Sequence, residues 1–175
     1  MRFRAKLAPE QISLLYSLIG SVSRLSGGES ANAARTGGAE IRRGSVLRLD
    51  TNNVRLTTKG ANDADGVSFF CELATTDGIF MEHKIQSAAE DNAIAMEVDL
   101  AQLRMALQSI VANNERNAFK NGGENPISVH HSTTIFKLAK RDKIPCLCLD
   151  AFTRDGVVSV HHSIPVRIMR VEDAM

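Results

Sequence analysis

A chain of 175 residues, 43% hydrophobic and 23% charged, has the length of one globular domain and can bury roughly 70% of the surface its unfolded form exposes. Twenty-one basic against 20 acidic residues leave a net charge of +1, which excludes a global field that would hold the protein on nucleic acid or an anionic membrane. No apolar run reaches the roughly 18 residues of a membrane span and "MRFRAKLAPE" lacks the apolar centre of a secretory signal, so an intracellular protein without a membrane role is expected.

In chain order, "RFRAKL" alternates like a strand, and Pro9 opens a helical pattern at the position where proline is tolerated. In "PEQISLLYSLIGSVSRLSGG" the residues Leu15, Leu18, Ile19, Val22 and Leu25 keep helical spacing until Gly27 and Gly28 stop it. Residues 27–45 have the composition of a polar, flexible insertion. Five alternating segments follow, "VLRLD", "NVRLTTK", "VSFFCEL", "FMEHKIQS" and "AIAMEVD", separated by the turn signals "TNN", "GANDADG" and "EDN". Without helices between them, these strands must pair antiparallel. Asp99 is placed to cap a second helix, with Gln102 completing a capping box and Leu100, Leu103, Leu107, Ile110 and Val111 forming its buried stripe. A second polar insertion, 114–132, leads to "TTIFKLAK", "IPCLCLDAF" and "VVSVHHSIPVRIM".

The order is strand, helix, five strands, helix, three strands, which suggests two similar strand-helix-strands units, although residue-level self-similarity is too faint to show a repeat. Two helices cannot cover both faces of eight or nine strands. The expected fold is therefore α+β, with both helices together on one face of antiparallel sheets.

Chemistry has little to work with. His130 with His131, and His161 with His162, are neighbours on strands and point to opposite faces, so neither pair chelates one metal unaided. Cys146 and Cys148 share a face, but no second ligand pair accompanies them, and buried thiols are the simpler reading. Cys71, among bulky apolar residues, is expected to be inert. There is no nucleophile elbow, phosphate loop, dinucleotide fingerprint or zinc-protease motif, so no catalysis, metal or cofactor is expected.

The helices are the unusual feature. Residues 11–26 and 100–114 hold no acid in 31 positions, against three or four expected from 20 acids in 175 residues. Their polar faces run Ser13, Ser17, Gly20, Ser21, Arg24 and Gln102, Arg104, Met105, Gln108, Ser109. Such a surface repels no phosphate and carries little to read base edges, which suits apposition to a polyanion at a distance.

The segments "MRFRAK", "VSFFCEL", "DNAIAMEVDLAQLRMAL", "IPCLCLD" and "HSIPVRIMR", in this order, resemble the first half of the Hus, or hydroxyurea-sensitivity, subunit of the heterotrimeric DNA-damage checkpoint clamp. This is the nine-one-one complex, similar in fold to proliferating cell nuclear antigen, and the resemblance spans residues 1–26, 46–113 and 133–170. It implies a sliding-clamp domain over 1–170 and the start of an interdomain connector at 171–175, with the family's second clamp domain expected to be absent from this sequence. It further implies a nuclear, non-enzymatic ring subunit whose partners are two other clamp subunits, a clamp loader, duplex DNA through the ring, and checkpoint and repair proteins. The resemblance assigns proximity to DNA to Arg24, Arg104 and Lys6. It makes the last strand, Val157 to Arg170, an edge that joins a neighbouring subunit through Val158, Val160, His162, Ile164 and Val166, with Pro165 limiting indiscriminate pairing. "VSFFCEL" is expected to pair with the second domain. The chain departs from the family in carrying Leu18, Met105 and Gln108 where basic residues commonly stand. In or beside the insertions, Arg42, Arg43, Arg116 and Lys120 are expected to be solvated. The competing reading is an α+β protein-interaction or ligand-binding domain with no DNA role.

Overall fold

The apolar alternation of residues 2–7 forms β1 (Arg2–Leu7), with Phe3, Ala5 and Leu7 buried and Arg2 and Arg4 exposed. This pattern recurs along the computed structural model, which describes residues 1–25, 45–59, 68–89, 91–120, 133–152 and 157–174. Pro9 opens α1 (Pro9–Leu25). The residue before it, Ala8, has no side chain to cap with, and Gln11 supplies the missing acceptor through Oε1, 2.7 Å from the Ala8 N–H.

The strands β2 (Ser45–Leu49), β3 (Asn53–Lys59), β4 (Ser68–Ala74), β5 (Glu82–Gln86) and β6 (Ile94–Val98) follow, as the alternation predicts. The β2–β3 turn is set by Asp50, whose Oδ1 accepts the Asn52 and Asn53 N–H groups at 2.9 and 2.7 Å. Then come α2 (Leu100–Lys120), β7 (Thr134–Arg141), β8 (Ile144–Phe152) and β9 (Val158–Met169), and a short 3-10 helix over Val171–Ala174. Asp99 caps α2 by accepting the Ala101 and Gln102 N–H groups at 2.9 and 3.2 Å. The expected capping box differs in one respect: Gln102 donates through Nε2 to the Asp99 carboxylate at 3.3 Å rather than serving the Asp99 backbone. The helix also runs six residues further than its apolar stripe predicts, so the second insertion starts later than residue 114. The first ends before Ser45, which belongs to β2; most of both insertions, with His130 and His131, lies outside the described residues.

Every ladder is antiparallel, and the strand order is β4-β3-β2-β6-β9-β8-β7-β1-β5. This order contains the internal repeat that residue identity hides. The units β1-α1-β2-β3-β4 and β6-α2-β7-β8-β9 exchange under a two-fold relation: β2–β3 and β3–β4 match β7–β8 and β8–β9, while β1–β7 matches β6–β2. In the second unit β9 spans two ladders, with β8 over Val158–Pro165 and with β6 over Val166–Met169. In the first unit the same two roles fall to separate strands, β4 beside β3 and β5 beside β1. A short 3-10 helix, Thr75–Asp77, breaks them apart and ends on Gly78 at φ 74°, where a Cβ would be strained.

One apolar cluster joins the inward sides of the strands to Ile12, Leu15 and Ile19 of α1 and to Leu100, Leu103, Leu107 and Ile110 of α2. The two helices pack against each other, as expected of a helical layer on one side of the sheet.

Candidate nucleic-acid interface

Helical periodicity decides which side chains the layer presents. On α1, burial of Ile12, Leu15 and Ile19 turns Ser13, Leu14, Ser17, Ser21 and Arg24 to solvent. Burial of Leu103, Ala106, Leu107 and Ile110 does the same for Gln102, Met105 and Gln108 on α2. Two of the serine hydroxyls are already committed: Ser13 Oγ donates to the Pro9 carbonyl at 3.3 Å and Ser21 Oγ to the Ser17 carbonyl at 3.0 Å. With Leu14 and Met105 also exposed, the surface is smoother and more apolar than its sequence suggests. Acids sit only toward its ends, with Glu10 in the first turn of α1 and Glu115 in the unforeseen extension of α2.

The three residues expected near DNA do not form one group. Arg24 is exposed in the last turn of α1, where its charge also complements the helix dipole. Arg104 is half-buried and already engaged within the protein. Lys6 separates from both, because strand alternation puts it with Arg2 and Arg4 on the face of β1 opposite the core, and the helices lie on the core side. Lys6 therefore does not share the helical surface.

The residues expected at a subunit edge are also redistributed. Since β9 pairs with β6 from Val166 onward, its unpaired flank is limited among the described residues to Val158–Pro165, not the whole strand. All five assigned side chains fall on its inward face. Ile164 and Val166, 3% and 6% exposed, are spent on the domain's own core. Val160 packs against that core and His162 lies in a shallow cleft with Gln102, Met105 and Ala106 of α2. Only Val158, 46% exposed, projects freely. An edge here offers mainly backbone groups. The terminal strand β4 offers a second one, two-fold related to the first, with Phe70 exposed on its outward side.

Titratable groups elsewhere are structural in their settings. Burial lowers the pKa of His83, partly opposed by Asp50, and its ring packs on Phe3 and Phe80 at centroid distances of 5.8 and 5.3 Å. Burial, helped by the adjacent His161, lowers that of His162. Burial raises the Cys71 thiol, consistent with an inert sulfur. Cys146 and Cys148 are buried as expected, yet on the face of β8 away from the core, where Cys148 Sγ lies 3.4 Å from Ser163 Oγ. Beside them sits a buried carboxylate that sequence reading missed. Asp150 is bonded by Lys137 Nζ at 2.6 Å and by His161 Nδ1, whose Nε2 lies 3.0 Å from Ser163 Oγ and 3.1 Å from Arg141 Nη2. Ser163, at the end of this chain of contacts, also lines the shallow cleft against α2, and among the described residues no cluster of three or more His, Cys, Asp or Glu could hold a metal.

The family described as Hus1-like protein matches residues 37–175, from before β2 to the end of the chain. No curated protein matches the chain.

Proposed function

The chain belongs to the Hus1-like family, and from that premise we propose that it is a non-enzymatic subunit of a heterotrimeric ring that encircles duplex DNA at damage sites. Membership makes it a checkpoint-clamp subunit in general; the ring, the duplex within it and the recruitment of checkpoint and repair proteins are the finer reading. The observation that carries it is the paired helical layer, free of carboxylates along its middle turns and presented as one surface. In this reading Arg24 and Arg104 sit nearest the phosphates, and the mostly neutral remainder lets the ring move without binding any one sequence.

Ring closure needs two joints per domain, and two edges related by the internal two-fold supply them. The first half of β9 meets a neighbouring subunit, and β4 meets a second domain of the same kind. A clamp loader opens the ring, and the site of action is the nucleus. The competing reading, an interaction domain without a DNA role, would leave the lack of acids on the helices incidental. Mixing the chain with two other clamp subunits and measuring mass by size-exclusion chromatography with light scattering separates the two: a one-to-one-to-one complex is expected. Failure to co-elute with either partner contradicts the reading.

A further inference from the structure

The outward face of the sheet, away from the helices, distributes its cations unevenly. Arg48 is held by Asp91 at 2.5 Å, Arg55 by Glu72 at 3.2 Å, Lys137 by Asp150 at 2.6 Å and Arg167 by Glu97 at 2.6 Å. On β1 and β5 this matching stops: Arg2, Arg4, Lys6 and Lys84 form no ion pair with any described residue. The register makes the omission costly. Lys84 is directly opposite Arg4 and Arg4 directly opposite Lys137, so three cations stand in one row across β5, β1 and β7 at a strand spacing of about 4.8 Å. Like charges directly opposed destabilise a sheet. Lys137 is drawn aside to Asp150, while Arg4 and Lys84 keep facing each other. An anion laid over the row removes that repulsion, so binding and relief of the opposition are one event.

We propose that the outward face of β5, β1 and β7 docks an extended, carboxylate-rich protein segment. Arg2, Arg4 and Lys6 follow one another along β1 at about 6.7 Å per step, the spacing of every second side chain in an extended peptide. Acids at alternate positions of such a segment meet Arg2 and Arg4 in turn, with Lys84 beside the second. Glu82, opposite Lys6, bounds the patch at one end. A short segment stops before that carboxylate, whereas a duplex continuing along the same line lays phosphates against it. The site lies on the opposite side of the sheet from the helical layer and stands whether or not a duplex passes that layer.

The test is fluorescence anisotropy of the full chain with a labelled peptide alternating Glu and Thr, beside the same peptide with Gln for Glu and a short labelled duplex. The Glu peptide is expected to bind and the Gln peptide not to. The double variant Arg4→Gln/Lys84→Gln is expected to weaken binding about three- to tenfold, because exposed ion pairs are individually modest. Arg55→Gln, whose cation is already matched, leaves binding unchanged, and the double variant melts no lower than the parent because it removes the opposition. Equal binding of the Glu and Gln peptides, an equal loss in Arg55→Gln, or a duplex that outcompetes the peptide for the same residues overturns the proposal.

Discussion

Replacing Asp150 with Asn tests whether the buried carboxylate on the outward face holds β7, β8 and β9 together. Asp150 is 5% exposed and accepts from Lys137 and His161, one on each neighbouring strand. Burial alone pushes its carboxyl up, but the two hydrogen bonds and the charges behind them outweigh burial and hold it below its ordinary value. Charge-assisted bonds contribute about 1.5–3 kcal/mol each. The partners' side chains are 41% and 38% exposed, so both regain water when the charge is lost. The cost therefore falls below the roughly 3–5 kcal/mol of breaking a fully buried pair. About 2 kcal/mol at neutral pH is expected, equivalent to about 5 °C in melting temperature for a domain of this size. Because the folded pKa lies below the unfolded one, about 3.9, this stabilisation is fully present above that value and lost as pH falls through the folded value. Urea melts of both proteins at pH 7 and pH 3 should show a gap that narrows on acidification. A variant as stable as the parent at pH 7, or a gap unchanged at pH 3, refutes the argument.

Other outcomes follow from single features. The β7–β8 turn puts Asp142 and Lys143 at φ 49° and 68°, and Lys143→Gly should raise stability by about 1 kcal/mol in a thermal melt by removing left-handed strain. Ile110→Ala, at a fully buried position under α2, should cost about 2–5 kcal/mol by the same measurement. Val158→Asp should reduce co-elution with a partner subunit while leaving the melting temperature near that of the parent, whereas a charge at half-buried Val160 should lower both. In the assembled ring, Arg24→Gln with Arg104→Gln should flatten the dependence of log affinity for duplex on log salt by about two units, and an unchanged slope would remove both from the interface.

The helices and most strands are legible in the sequence because their apolar periods are clean: Phe3, Ala5 and Leu7 alternate, and Leu100, Leu103, Leu107 and Ile110 keep helical spacing. The end of α2 is not, since Asn113, Asn114 and Glu115 continue the helix with a composition that reads as loop. The division of β9 between two ladders is also hidden. It depends on where β6 turns into α2, about 70 residues earlier in the chain, and a strand's own alternation says nothing about which flank is paired. The same distance hides Asp150 and Lys137. Inside "IPCLCLD" an acid on the face away from the core reads as exposed, and only the register with β7 and β9 shows what covers it. The candidate site was legible as two acid-poor helices, but the separation of Lys6 and the engagement of Arg104 required the packing.

In the proposed function this domain acts by enclosing a duplex rather than by gripping it. The direct measurement loads the subunit, this domain joined to its second clamp domain, with its two partner subunits and a clamp loader, onto closed circular DNA at high salt, then cuts the circle once. Complexes retained on the circle and released on linearisation are the predicted result; retention that survives the cut would show adhesion to DNA and contradict the account.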